Sequence, residues 1–432
     1  MRPDRPMDSR REFELPPVPF DARVTPPGDK SLGHRALVIA AMAEGESVVA
    51  NVPQGGDIES TRAVTSSLGV EHTGDRVRSP GSANWSAPDS NLDCGNSGTT
   101  MRLLTGAIAG SRTNATLIGD KSLMKRPMQR LVGPLAKLGA KVAVAPSGTA
   151  PIEITGASLV GAKVNLPIAS AQVRTAVALA ALSAKGNTEI DSPPGFRDHT
   201  ERWLAYLGLG EAMSPTHFQI TPGDVAPLNI TVPGDTSSAA FLWAAAAVTP
   251  GSRIATPNVS LNPGRIGFLE VLEQMGCGVA VELGEPVMGD PVGTVTVQAA
   301  DLEGTEVGGE LAVRCLDELP LLAVVAAAAT GPTVVSDATE LRVKESDRVA
   351  SSVALAKLAG AEAHASADGF TVEPIGGATN DPTTIDARSD HRVAMAAAIA
   401  SLVRKSKVSI SGFGAADVSW PGFGDVVEGL WS

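Results

Sequence analysis

Hydrophobic and polar positions in this chain follow a long period. Six segments open with polar residues and run into an alanine-rich apolar stretch: "PPGDKSLGHRALVIAAMAEG" from residue 26, "GNSGTTMRLLTGAIAG" from 95, "IASAQVRTAVALAALSAKG" from 168, "PGDTSSAAFLWAAAAVTPG" from 233, "CLDELPLLAVVAAAATG" from 315 and "ARSDHRVAMAAAIASLV" from 387. A polar opening followed by an apolar run that usually stops at Gly is the pattern of a capped helix, so each copy predicts one. Between them, "VTSSLGV" at 64, "LAKLGAKV" at 135, "WLAYLGLG" at 203, "LEQMGCGV" at 272 and "LAKLAGAEA" at 355 predict a second helix ending near Gly and then a strand. Short alternating runs such as "TVTVQA" from 294 and "FTVEP" from 370 predict further strands. The repeating unit is thus about two strands and two helices, used six times, with the last copy incomplete.

Six units divide naturally into two halves of three. The Pro/Gly-containing run "APLNITVPGDTSS" between the third and fourth units is the expected crossover. Because the first strand of the chain must pair somewhere, the N-terminal segment is expected to return to the second half. The predicted domains are residues 1–28 with 234–432, and 29–233, with crossovers near 24–28 and 230–234. Alanine-rich helices in every unit suggest an α/β fold in which the core helices face each other and the sheets and second helices lie outside.

Composition narrows the function. A 432-residue chain with 43% hydrophobic residues can build two sizeable cores, and only 3% are aromatic, so Ala, Val, Leu and Ile must fill them. A formal net charge of −12 disfavours non-specific binding to nucleic acid or an anionic membrane surface. Cys94, Cys277 and Cys315 form no CxxC pair, which fits a reducing cytoplasm and supplies no zinc site. The charged opening "MRPDRPMDSRREFEL" lacks the apolar core of a signal peptide and reads as a mobile tail. No P-loop, GxGxxG, GxSxG or HExxH pattern is present, so the sequence gives no support for nucleotide, nicotinamide or metal chemistry.

Cations gather where the core helices begin, and helix N-termini favour anions through free N–H groups and the helix dipole. Lys30, Ser31 and Arg35 occupy one such start, Arg102 lies just after "GNSGTT", Gln172 and Arg174 head the third helix, and His391 with Arg392 the sixth. One such residue alone is ordinarily a cap or a solvated charge; repetition at equivalent positions points to small anionic ligands. "LRVKESDR" from 341 adds Lys344 and Arg348 at i,i+4, read as one helical face, with Glu345 beside them. Arg126 in "KRPM" belongs to a loop before a helix. Asp317, in "CLDELPLL", is a carboxylate at the head of an apolar helix, suited either to capping or to acting as a general base for a substrate hydroxyl.

"PGDKSLGHRAL", "GNSGTTMRL", "KRPM", "SAQ", "RVKESDR" and "DHRVAM" occur in an order and spacing that resembles the 5-enolpyruvylshikimate-3-phosphate synthases, from residue 24 to about 425. The resemblance implies two domains of three βαβαββ units each, an inside-out α/β barrel. It implies transfer of the enolpyruvyl group of phosphoenolpyruvate to the 5-hydroxyl of shikimate 3-phosphate, with release of phosphate, on the route to chorismate. It implies a cytoplasmic monomer with no cofactor or metal, and a target of glyphosate. Matched residue by residue, it assigns shikimate 3-phosphate to Lys30, Ser31, Arg35, Ser170, Ala171, Gln172, Arg197, Asp317 and Lys344. Phosphoenolpyruvate falls to Lys30, Asn96, Gly98, Arg126, Gln172, Arg348, His391 and Arg392. Asp317 would be the base for the 5-hydroxyl, and Lys30 or Glu345 would serve proton transfer at the vinyl carbon.

The chain departs from the family pattern at Ala171, where some members have serine, at Glu340, where some have asparagine, and at Val418, where many have lysine near phosphoenolpyruvate. Gly98 leaves room for glyphosate, whereas Leu103 stands where many sensitive members carry proline. The rival on the same scaffold, the UDP-N-acetylglucosamine enolpyruvyl transferases, normally shows Lys-Asn in place of Lys30-Ser31 and often a loop cysteine, absent from "SRTNATLIGDKSLMKRP". RNA 3′-phosphate cyclases share the unit, but the acidic balance opposes them. A non-catalytic anion-binding relative is the rival from another class.

Overall fold

The computed structural model describes residues 9–194, 196–374 and 383–431. The chain forms two compact units, one of Met1–Pro27, Gly234–Glu285 and Val292–Ser432, the other of Gly28–Pro233 with Pro286–Pro291. Each has its own hydrophobic core.

In the second of these units three sheets share one topology, an edge strand parallel to its neighbour followed by two antiparallel ladders. Their strands, in spatial order, are Asn229–Thr231, Glu44–Ala50, Arg76–Pro80 and Glu71–Thr73; Leu92–Asp93, Ala115–Ile118, Ile152–Thr155 and Lys141–Val144; and Lys163–Asn165, Thr188–Asp191, His217–Ile220 and Gly210–Ala212. The parallel ladder requires a crossover connection, and the alanine-rich helices supply it in the second and third sheets. The repeat therefore holds four strands, two more than the alternation pattern suggests, because its strands are only two to eight residues long and carry little periodic signal.

The other unit repeats the arrangement. Asp21–Arg23, Arg253–Ser260, Val292–Gln298 and Gly278–Leu283 form one sheet, and Glu306–Val307, Thr333–Val335, Phe370–Glu373 and Glu362–Ala365 a second. The third holds Thr384–Asp386, Val408–Ser411 and Arg11–Phe13. Part of the expected mobile tail is thus a strand. Phe13 is buried with its ring 4.9 Å from that of Phe413, and Arg11 pairs with Asp425 and Glu428 at 2.8 Å. Residues 1–8 of the tail lie outside the described residues.

All six alanine-rich segments are helices: Lys30–Met42, Gly98–Ala109 and Ala171–Ala181 in one unit, Thr236–Ala247, Leu319–Ala326 and His391–Arg404 in the other. Apolar on nearly every side, they are suited to burial throughout; every residue of Thr236–Ala247 is buried. Small residues let them pack closely, and a Cβ added to Gly106 would lie 2.0 Å from the carbonyl oxygen of Ala176. Asp29, Ser97, Asp235 and Asp390 cap four of the six, each accepting from a backbone N–H of its first turn. Asp317 is not the cap residue of its helix, which begins at Leu319 behind Glu318, and its carboxylate pairs with cations.

Two further expectations change. Lys344 and Arg348 do not share a helical face, because Thr339–Val343 is a 3₁₀ turn and the α-helix begins at Arg348, capped by Asp347. Residues 234–432 do not all fold with one unit either: Pro286–Pro291 folds with the other, where Met288 and Asp290 are buried and Asp290 bonds His199 and Trp203. All three cysteines are free and buried. Among the described residues no helix is long and apolar enough to cross a membrane, and no cluster of His, Cys, Asp and Glu fits a metal ion.

Candidate active site

In the unit containing Gly28–Pro233, the starts of the three core helices are joined by side chains. Lys30 Nζ lies 3.3 Å from Asp57 Oδ2, on the neighbouring helix Gly56–Ser66. Arg35 is 3% exposed and donates from Nη1 to the carbonyl of Ser31 at 3.0 Å, from Nε to Thr200 Oγ1 at 2.8 Å and from Nη2 to Thr175 Oγ1 at 3.0 Å. Burial draws its guanidinium down to about 10, against the opposing charges of Glu201, Asp29 and Asp290, while the nearby cation Arg197 adds to the fall.

At the second helix start, Ser97 caps "GTT" and Arg126 Nη2 donates to Asn96 Oδ1 at 2.6 Å, with Asn96 Nδ2 donating in turn to Asp120 Oδ2 at 2.6 Å. A Cβ on Gly98 would stand 2.9 Å from Nη1 of Arg102 and 3.4 Å from Nη1 of Arg126, so glycine is what lets both guanidiniums approach the backbone. Gln172 bridges to this loop, donating to Thr99 Oγ1 at 2.9 Å and accepting from Arg102 Nη1 at 2.5 Å. Ser170 and Ala171 open the same helix, and Ser170 makes no side-chain cap.

The other unit assembles a second cluster. Asp317 lies 3.2 Å from Arg348, 3.5 Å from Arg392 and 3.7 Å from Lys344. Arg348 is 1% exposed and also donates to both oxygens of Asp390 and to Glu345. Burial opposes the charge of Arg348, but Glu345, Asp390 and Asp317 outweigh it and hold the group firmly protonated. Burial likewise raises Asp390, and Arg348 overcomes it, leaving the carboxyl below its ordinary range. Arg392 donates to Glu318 at 3.3 Å, and His391 is buried beside Asp390 at the helix start. Arg348 therefore directs four of its five N–H donors to three carboxylates.

Of the predicted site residues, Lys30, Ser31, Gly98, Ala171, Gln172, His391 and Arg392 lie in the first turn of a core helix, Asn96 and Ser170 just before one, and Arg35 in the second turn; Arg348 begins the helix Arg348–Ala359, and Arg126, Arg197, Asp317, Lys344 and Glu345 lie in segments between elements. Of the departures, Glu340 is exposed on the 3₁₀ turn Thr339–Val343 and Val418 is half-buried at the end of Phe413–Val418. Asp57, Asp390, Thr175 and Thr200 were not singled out. Only Asp390 had a signal available, as the polar residue immediately before an apolar helix.

A family profile described as EPSP synthase (3-phosphoshikimate 1-carboxyvinyltransferase) matches residues 16–427. The chain belongs to the EPSP synthase family. It is 44% identical over 412 residues to the 3-phosphoshikimate 1-carboxyvinyltransferase of Roseiflexus castenholzii, covering 93% of this chain and 95% of that one. It is 38% identical over 422 residues to the enzyme of the same name from Bacillus pumilus, with 96% and 98% covered. The solved EPSP synthase of Acinetobacter baumannii superposes with a TM-score of 0.85 at 35% identity, covering 97% of both chains. As an EPSP synthase, the protein transfers the enolpyruvyl group of phosphoenolpyruvate to shikimate 3-phosphate in aromatic amino-acid biosynthesis.

Proposed function

We propose that the two clusters divide the work of one addition–elimination. Lys30, Ser31, Arg35, Ser170, Ala171, Gln172 and Arg197, with Asp317 and Lys344, bind shikimate 3-phosphate. Lys30, Asn96, Gly98, Arg126 and Gln172, with Arg348, His391 and Arg392, bind phosphoenolpyruvate. One observation carries the catalytic assignment: Asp317 is a carboxylate with three cations within 3.7 Å. Asp317 takes the proton of the 5-hydroxyl as its oxygen adds to C2 of phosphoenolpyruvate, while C3 receives a proton from Lys30 or Glu345. The tetrahedral ketal then loses phosphate while Lys30 or Glu345 takes a proton back from C3, giving the enolpyruvyl ether, its anionic groups held throughout by arginine and lysine.

The finer architecture belongs to the same proposal. Each unit is one half of an inside-out α/β barrel, with its alanine-rich helices inward, and the enzyme works as a cytoplasmic monomer without nucleic-acid or membrane partners. The test is a coupled assay for phosphate release with phosphoenolpyruvate and either shikimate 3-phosphate or UDP-N-acetylglucosamine as acceptor. Turnover with the first alone is expected. Turnover with the second would transfer the chain to the rival activity, and none with either would leave it an anion-binding protein.

A further inference from the structure

A carboxylate far along the chain grips the helix His199–Tyr206. Asp290 lies in Pro286–Pro291, between the strands Gly278–Leu283 and Val292–Gln298, and folds with the unit that contains this helix. It is fully buried, as are His199 and Trp203. Its oxygens accept from His199 Nδ1 at 3.0 and 3.1 Å and from Trp203 Nε1 at 2.9 Å, and Arg202 Nε stands 3.9 Å away. His199 and Trp203 are four residues apart and so present one face of the helix. Gripping that face fixes both the height and the rotation of the helix.

The residue next to His199 is the one that matters for the site. Thr200 Oγ1 accepts from Arg35 Nε at 2.8 Å and shares a 2.6 Å hydrogen bond with Thr175 Oγ1, which accepts from Arg35 Nη2. The orientation of the Arg35 fork thus depends on where Thr200 stands, and that depends on the grip. The charge of Asp290 also opposes the fall that burial imposes on Arg35. We propose that Asp290 is a positioning residue for shikimate 3-phosphate, acting through His199, Trp203 and Thr200 to hold Arg35 ready for the substrate. This rests on the assignment of Arg35 as a substrate ligand.

The test uses the full-length enzyme and Asp290→Asn, Thr200→Val, their double variant and Arg35→Ala. Dissociation constants for shikimate 3-phosphate come from calorimetry and Michaelis constants for both substrates from phosphate release. Asp290→Asn should weaken shikimate 3-phosphate about tenfold, the size of one hydrogen bond to a charged group, and leave the phosphoenolpyruvate constant within about twofold. The double variant should bind about as well as the weaker single variant, since both changes act along one path. Equal loss for both substrates, or losses that multiply in the double variant, would show a merely structural carboxylate and overturn the inference. If Asp290→Asn does not fold, Asp290→Glu with Thr200→Val runs the same cycle, judged by the same two outcomes. Unchanged affinity in Arg35→Ala would remove Arg35 from the site; lost affinity there beside unchanged affinity in Asp290→Asn would refute the role of Asp290 alone.

Discussion

Asp317 carries the sharpest expectation at the scale of single residues. Asp317→Asn keeps the shape and loses the base, so turnover should fall by about a hundredfold or more while both Michaelis constants stay within a few-fold, measured by phosphate release. Near-normal turnover would exclude it as the general base. Asp317, Lys30 and Arg392 were legible because each is a polar residue at the head of an apolar segment, where nothing in core packing calls for a charge. Their partners were not. Arg348 resembles an exposed member of a basic i,i+4 pair, yet it is 1% exposed among three carboxylates drawn from Asp317, Glu345 and Asp390. Asp290 reaches Trp203 across 87 positions of sequence. Which acid meets which base is decided by tertiary packing, and spacing along the chain carries no trace of it.

At the scale of elements, the helices were legible and the sheets largely were not, because a twelve-residue apolar run is a strong signal and a three-residue strand a weak one. The helices also meet through polar chains that periodicity cannot show. His34 on Lys30–Met42 is 1% exposed, with Nδ1 2.7 Å from Thr61 Oγ1 on Gly56–Ser66; Thr61 in turn bonds Thr100 Oγ1 on Gly98–Ala109 at 2.6 Å. Burial pushes the imidazole down to about 3, with Asp57 opposing and Lys30 and Arg35 adding to the fall. The folded ring therefore stays neutral between pH 6.5 and 3, while the unfolded ring takes up a proton. Its contribution is fully present above pH 6.5 and is lost as pH falls toward 3. Between pH 7 and 5, wild type should lose about 2 kcal/mol more stability in urea unfolding than His34→Asn. Equal losses would mean that the folded ring is free to protonate.

For the whole molecule, a net charge of −12 coexists with two clusters of cations, and those clusters belong to separate units with separate cores. If shikimate 3-phosphate takes Lys30, Arg35 and Gln172 from one unit and Asp317 and Lys344 from the other, its binding energy must stabilise both. A ligand that binds only the folded state suppresses opening in proportion to its saturation, and at a hundred times its dissociation constant it slows exchange through that opening about a hundredfold. Hydrogen exchange read by mass spectrometry should therefore show added protection in peptides covering 30–42 and 171–181 and also in those covering 317–326 and 339–348. The second pair is decisive, because the unit that holds Arg35 can gain protection on its own account by binding the phosphate. Protection confined to 30–181 would remove Asp317 and Lys344 from the substrate and with them the general base assigned above, whereas protection in both units is what a substrate shared between Arg35 and Asp317 must produce.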